Sequence, residues 1–256
     1  MALDFDGSSV MVTLPGKAIS THDQIARALG ADILSGRFPA GATLPNELDL
    51  LARFEVSRTV LREVMKTLAA KGFVVSKTRV GTKVLPSENW NFFDPDVLSW
   101  KLSIGYDKKF RDDLAEIRRC IEPRAAALAA QRRTAEQVAE LRSWVAKMRA
   151  PGHTRQSYAN ADLGLHLAVG AMSGNVLMRS IGSVIEAALM ASFTLNSAID
   201  EADVLEASLD QHEAIVDAIE RRDSASAAAA MLGVIETGTA RISAASPYKG
   251  RKPKKR

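Results

Sequence analysis

A mainly α-helical protein in two parts is predicted by three observations. Apolar residues recur every three or four positions along most of the 256 residues; β-rich runs are confined to residues 73–84; and a segment crowded with aromatics separates two helical regions. The first region reads as three helices plus a β-hairpin, the second as an antiparallel all-α bundle. The boundaries predicted are a tail over 1–15, a first domain over 16–85, an aromatic linker with a short helix over 86–109, a helical domain over 110–245 and a basic tail over 246–256.

Ile19, Ile25, Ala26, Leu29 and Ile33 form the apolar stripe of a first helix that stops at Gly36. Between Leu44 and Gly72 lie two short amphipathic helices joined at a tight turn. Asn46 or Pro45 starts the first of these, with Leu48, Leu51, Ala52 and Phe54 as its apolar side. Val56 plugs the turn, Ser57 caps the next helix and Gly72 ends it. Along that helix Val60, Leu61, Val64, Met65 and Leu68 face a core, so Arg58, Thr59, Arg62 and Lys66 lie on other faces. Phe73–Val84 then reads as two β-runs turning near Arg79 to Gly81, a basic hairpin of the kind called a wing. The pattern is a winged helix-turn-helix, and its unit holds eleven Lys or Arg against six Asp or Glu. Arginine forks bond guanine in the major groove, while hydroxyls and helix N-terminal amides suit phosphate, so double-stranded DNA is the expected partner. A merely solvated basic helix is the alternative.

Trp90, Phe92, Phe93, Trp100 and Tyr106 must pack onto something. Asp94-Pro-Asp caps a short helix through Val97, Leu98, Trp100 and Leu102, expected as a wedge between the two parts or as an edge of the second. About six helices follow. In the first, from Asp112 to about Gln131, Leu114, Ile117, Ile121, Ala125 and Leu128 point inward with Arg118 on the same stripe. A buried arginine needs an anion, supplied either by Glu122 one turn on or by a carboxylate ligand. Asp162 and His166, four apart, share one helix face with Leu165, Val169 and Met172. His212 sits on a later apolar stripe with Leu209, Ile215, Val216 and Ile219. An Asp-x-x-x-His pair plus a second inward histidine suits zinc or a similar divalent ion, against the alternative of satisfied core histidines. Arg241, on the inward stripe of the last helix with Met231, Val234 and Gly238, is a further anchor for an acid or a salt-bridge partner.

A lone Cys120 excludes an internal disulfide. No run of 18 apolar residues occurs, and Met1-Ala-Leu-Asp-Phe-Asp lacks a positive n-region, so a cytoplasmic protein with no membrane association is expected. The last eleven residues carry six positive charges and are expected to be disordered. A hydrolytic zinc enzyme would need a general base such as the glutamate of His-Glu-x-x-His; Asp162-Leu-Gly-Leu-His166 offers none, so the chain is read as a non-enzyme. A purely architectural DNA-binding protein would leave Arg118 and the histidines without purpose.

Gly36-Arg-Phe-Pro-Ala-Gly-Ala-Thr-Leu-Pro-Asn-Glu47, Val56-Ser-Arg-Thr-Val-Leu-Arg-Glu-Val64 and Gly81-Thr-Lys-Val84 resemble the DNA-binding domain of the GntR family of bacterial transcription regulators. The resemblance implies that Ser57, Arg58, Thr59, Arg62 and the wing tip with Arg79 and Gly81 touch operator DNA, with Lys66 alongside. One departure is Leu48, where many relatives carry arginine. Leu114-Ala-Glu-Ile-Arg-Arg-Cys-Ile-Glu-Pro123, Asp162-Leu-Gly-Leu-His166, Ser173-Gly-Asn175 and Gln211-His-Glu213 resemble the FCD effector domain of the FadR-like branch. That likeness implies a homodimer and a divalent metal on Asp162, His166 and His212, with the family's last histidine replaced by Val234. The run Trp90–Trp100 is similar to the galactonate-repressor type, which implies a repressor of a carbohydrate-acid operon released by a sugar acid. Arg118, Arg241 and Asn160, with Asn196 or Thr194, would then hold the effector. Dicarboxylates, hydroxy acids and acyl ligands are the alternatives.

Overall fold

Helix α1 (Thr21–Leu34) begins where the Ser20 hydroxyl accepts from the Asp23 amide at 3.1 Å, and it ends at Ser35, ahead of Gly36 at φ +79°. The computed structural model describes residues 20–77, 80–152, 154–195 and 202–245, and the chain divides into two units, Met1–Gly105 and Tyr106–Arg256. Ile19, Arg79, Asn196, the side chain of Thr194 and the basic tail fall outside the described residues.

In the first unit, α2 (Glu47–Phe54) is capped by Asn46, whose side chain accepts from the Asp49 amide at 3.0 Å. Glu55 follows in the left-handed region at φ 53° and makes the sharp turn, after which Ser57 caps α3 (Arg58–Ala70). Leu48 does not join the apolar side expected of it: it is 65% exposed, while Leu50 is 3% exposed. Leu50, Leu51 and Phe54 share one side at helical spacing, and Leu48 lies off it. On α3, Leu61, Val64 and Leu68 are buried, with Val60 and Met65 packed at the margin.

Strands β1 (Val74–Lys77) and β2 (Gly81–Val84) pair antiparallel, Val74 opposite Val84. The hairpin has a contact the sequence did not reveal: Thr43 bridges Lys83, and Gly41 and Leu44 donate to the Val84 and Thr82 carbonyls at 2.9 Å. Non-local pairing of so short a segment leaves no periodic signature.

A 3-10 turn (Ser87–Asn89) leads to α4 (Pro95–Ile104), capped by Asp94. Trp90, Phe92 and Trp100 of this segment enter the first unit's own core. Trp90 stacks on Phe73 with ring centroids 5.1 Å apart, and α4 packs on α1 with Trp100 lying against Gly30. Lys71, at the end of α3, is buried and donates to Asp94 at 2.7 Å and Asp96 at 2.8 Å. Burial opposes its charge, but the two carboxylates outweigh that and raise its pKa. Phe93 stays exposed, and Tyr106 belongs to the second unit, where its hydroxyl donates to the Ala191 carbonyl.

Among the described residues the second unit has seven helices, in line with the six or so expected: α5 (Lys108–Arg132), α6 (Ala135–Arg149), α7 (Arg155–Met172), the short α8 (Val176–Ser180), α9 (Gly182–Leu195), α10 (Ala202–Glu220) and α11 (Ser224–Ala245). α5 packs on α11 and α7, α7 on α6 and α9, and α10 on α6 and α11. Capping boxes at Thr134/Gln137 and Thr154/Ser157 start α6 and α7. The core joins Leu141, Met148, Leu165, Ile215, Ile219 and Met231 to an alanine-rich face of α5. Ile117 and Ile121 are only half-buried, because that face runs through Leu114, Arg118, Glu122 and Ala125. On the rim, Arg149 of α6 binds Glu206, Asp210 and Glu213 of α10, and Arg142 binds Asp217 and Glu220. Such exposed pairs contribute under about 1 kcal/mol each.

At Gly30 an ideal Cβ would stand 2.3 Å from Trp100 Cε3. Gly30→Ala should therefore destabilise the first unit by about 1–3 kcal/mol. Urea unfolding followed by tryptophan fluorescence checks this, and an unchanged midpoint would show that the close packing of α1 on α4 is not needed.

Candidate nucleic-acid interface and metal centre

The head of α3 is built as a polar, positively charged turn. Ser57 Oγ accepts from the Val60 amide at 3.3 Å, which keeps its own hydroxyl hydrogen available to a ligand. Arg58, Thr59 and Arg62 are exposed, and the first turn holds no acidic residue to occupy the helix N-terminus. Arg58 Nη1 lies 3.8 Å from Glu47 of α2, while Lys66 Nζ donates to Glu63 at 2.8 Å. Between α2, α3 and the hairpin runs a cleft of about 370 Å³ lined by Glu47, Arg62, Met65, Lys66, Ser76 and Thr82. Ser76 and Thr82 are thus polar groups of this face that the helix pattern gave no reason to notice. Gly81 opens β2 at φ +97°, a conformation that favours glycine.

The second candidate site is buried in the helical unit. Asp162 and His166 of α7 and His212 of α10 are each at most 3% exposed, and one potential ligand atom from each lies within 4.8 Å of the others. Their hydrogen bonds determine the tautomers. His212 Nδ1 donates to the Ser208 carbonyl at 2.7 Å, and His166 Nδ1 donates to the Glu122 carboxylate; both acceptors lack a hydrogen of their own. In a neutral ring, each Nε2 then carries the lone pair. His166 Nε2 is buried without a hydrogen-bond partner, 3.8 Å from Asp162 Oδ1, while His212 Nε2 lies 2.6 Å from the same oxygen and forms an ion pair with it when the ring is protonated. Two imidazole lone pairs and a carboxylate converging in a dry interior are the donor set of a divalent cation, with Glu122 as the carboxylate behind His166. The residues fit such an ion.

Arg118 Nε donates to Glu122 Oε1 at 2.5 Å and its Nη2 to Oε2 at 3.5 Å, so the buried guanidinium has its anion within the chain. Burial pushes the Glu122 carboxyl up, but Arg118 and His166 outweigh this and hold its pKa down to about 2. Asp162 is likewise lowered, with burial outweighed by His212. His212 is raised because Asp162 more than offsets the cost of burying its charge. Glu122 therefore contributes stability at pH values above its ordinary 4.5, lost as pH falls towards 2. His212 in the metal-free chain contributes stability below 6.5, lost as pH rises through its higher folded value.

Tyr158, one turn before Asp162 on α7, bonds Ser208 at 2.9 Å. Its pKa is raised by burial and by Asp162, which outweigh the hydrogen bond to Ser208 and the charge of Arg241 on α11 acting in the opposite direction. Asn160 is not brought in: it is exposed and accepts from Gln156 at 2.8 Å. Two residues along a helix turn about 200°, so when Asp162 faces the core Asn160 faces away. Val234 packs against the apolar core.

Residues 21–84 match the bacterial regulatory proteins of the gntR family, and residues 113–237 match the FCD domain. The chain is 38% identical over 201 residues to the HTH-type transcriptional regulator YieP of Escherichia coli K12, covering 78% of this chain and 85% of that protein. It is 33% identical over 224 residues to the galactonate operon transcriptional repressor of the same organism, covering 88% and 97%. Among solved structures, Lar, described as controlling the Listeria monocytogenes agr system, shares the fold with a TM-score of 0.62 at 16% identity, over 90% of this chain and 100% of that one.

A metal entering this cluster must displace the proton that Asp162 favours on His212. Zinc affinity should therefore rise with pH and level off above the raised His212 pKa. Calorimetry at pH 6.5 in two buffers of different ionisation enthalpy should register proton release that shrinks at higher pH; buffer-independent heats would count against binding at His212.

Proposed function

Because the chain belongs to the GntR family of bacterial regulatory proteins and carries an FCD domain behind its reader, we propose that it is a homodimeric repressor. A small carboxylate, of the sugar-acid class, releases it from operator DNA when it binds inside the helical unit. The observation that carries the effector side of this reading is the convergence of two buried imidazole Nε2 atoms on the Asp162 carboxylate. The 33% identity to the galactonate operon transcriptional repressor, along nearly its whole length, supports the sugar-acid class and the direction of control.

Asp162, His166 and His212 would hold a divalent ion, zinc by its nitrogen and oxygen donors, and such an ion supplies open coordination positions to an anionic ligand. Glu122 and the Ser208 carbonyl keep the two imidazoles in the tautomer that presents Nε2. Arg118 neutralises Glu122 with two of its five donors and is suited to offer others to a carboxylate. Arg241 of α11, whose charge acts on Tyr158, would be the second cationic anchor. Val234, in place of a fourth ligand, keeps the protein contribution to three donors.

In the reader, Arg58 and Arg62 would contact base edges and Ser57, Thr59 and Lys66 the phosphates. The wing tip with Arg79 and Gly81 would enter the adjacent groove. Two copies would read two half-sites of a pseudo-palindrome. The acid acts only through unequal affinity for the DNA-bound and free arrangements of the dimer.

A thermal-shift screen against galactonate, other sugar acids, dicarboxylates and fatty acids, each with zinc or chelator, tests the proposal. A rise in melting temperature for a sugar acid that chelator abolishes supports it; a response restricted to acyl or dicarboxylate ligands replaces the effector class, and no response removes the sensor role. Arg62→Ala should weaken operator binding about 5- to 100-fold while leaving that acid response intact. Anisotropy titration on operator DNA checks this, and loss of the acid response instead would refute the division of labour.

A further inference from the structure

We propose that Leu48 is a sequence-reading residue that packs on the methyl group of a thymine in the operator's major groove. The inference rests on the DNA-reading role of α3.

Leu48 is 65% exposed on α2, flanked by Asn46, Glu47 and Asp49, which are exposed as well. Its helix meets the core through Leu50, Leu51 and Phe54, and one flank is tied to α1 by Arg53, whose Nη2 lies 2.7 Å from Asp32. Leu48 stands about 140° round the helix from Arg53, away from that tie. Its chain neighbour Glu47 reaches Arg58, the first residue of α3, at 3.8 Å. The leucine therefore sits beside the residues that enter the groove and has no packing role in the described part of its own unit.

Single exposed leucines are common on protein surfaces and need no purpose. What distinguishes this one is the surface it shares. Among the groups that base pairs present in the major groove, the thymine 5-methyl is the apolar one. A leucine has no donor or acceptor, so the methyl group is what it can discriminate there. A polar side chain in the same place would read a base edge or a phosphate; Leu48 makes the half-site prefer thymine at one position.

The test begins with duplexes enriched by the wild-type protein from a random library. In the best of them each thymine is replaced in turn by deoxyuridine, which removes the methyl group and leaves the hydrogen-bonding edge unchanged. Wild-type binding, read by fluorescence anisotropy, should weaken about 3- to 5-fold at one thymine per half-site. Leu48→Ala should bind the thymine and deoxyuridine duplexes equally, with an unchanged melting temperature. The same deoxyuridine profile in both proteins, or an equal loss by Leu48→Ala on every duplex, would overturn the proposal. Failure of the wild type to enrich any duplex would overturn it together with the reader assignment, which separates that outcome from a fault in Leu48 alone.

Discussion

Two carboxylates in the interior of the helical unit, Glu122 and Asp162, constrain everything around them. Neither can stay ionised in an apolar core without a cation and hydrogen bonds. Glu122 meets this demand with Arg118 one turn earlier on α5 and with His166 on α7; Asp162 meets it with His212 on α10. One electrostatic requirement thus ties three helices distant in the chain, and it also turns the imidazoles so that their Nε2 atoms face the same point. The polar interior is a stability liability that specifies a geometry. Replacing one member alone would leave a buried charge unpaired.

The reader is held by a different balance. Its core is apolar, from Leu29 and Ile33 through Leu68 to Phe73, and the aromatic segment after the hairpin closes that core through Trp90 and Trp100. Lys71 adds a charged clasp between the end of α3 and the start of α4. The last helix of the first unit is thereby attached to the end of α3 by charge and to α1 by packing, so a displacement of α4 bears on both. Any control exerted through that segment has a physical handle in this clasp.

Local signals in the chain were legible where a single element decides them. Asn46, Ser57 and Asp94 cap the helices expected of them because the cap is a hydrogen bond within four residues. Asp162 and His166 share a face because four residues make about one turn. Register was misread where two apolar choices competed: Leu48 and Leu50 are both leucine, and only packing against α3 selects Leu50. Asn160 failed for a related reason, since its candidacy rested on chemistry and ignored the angle that separates it from Asp162.

The sequence by itself determined the helix-turn-helix, the hairpin, the family and the residue types available for a ligand centre, because propensity, periodicity and motif spacing act over short stretches of chain. Only the tertiary structure decided that Arg118 is bound to Glu122, that Glu122 also holds His166, that His212 meets Asp162 across two helices, and that the aromatic segment belongs to the reader's core. Those outcomes depend on which side chains compete for the same partner in three dimensions, and separations of 44 residues between Glu122 and His166 or 50 between Tyr158 and Ser208 carry no local trace.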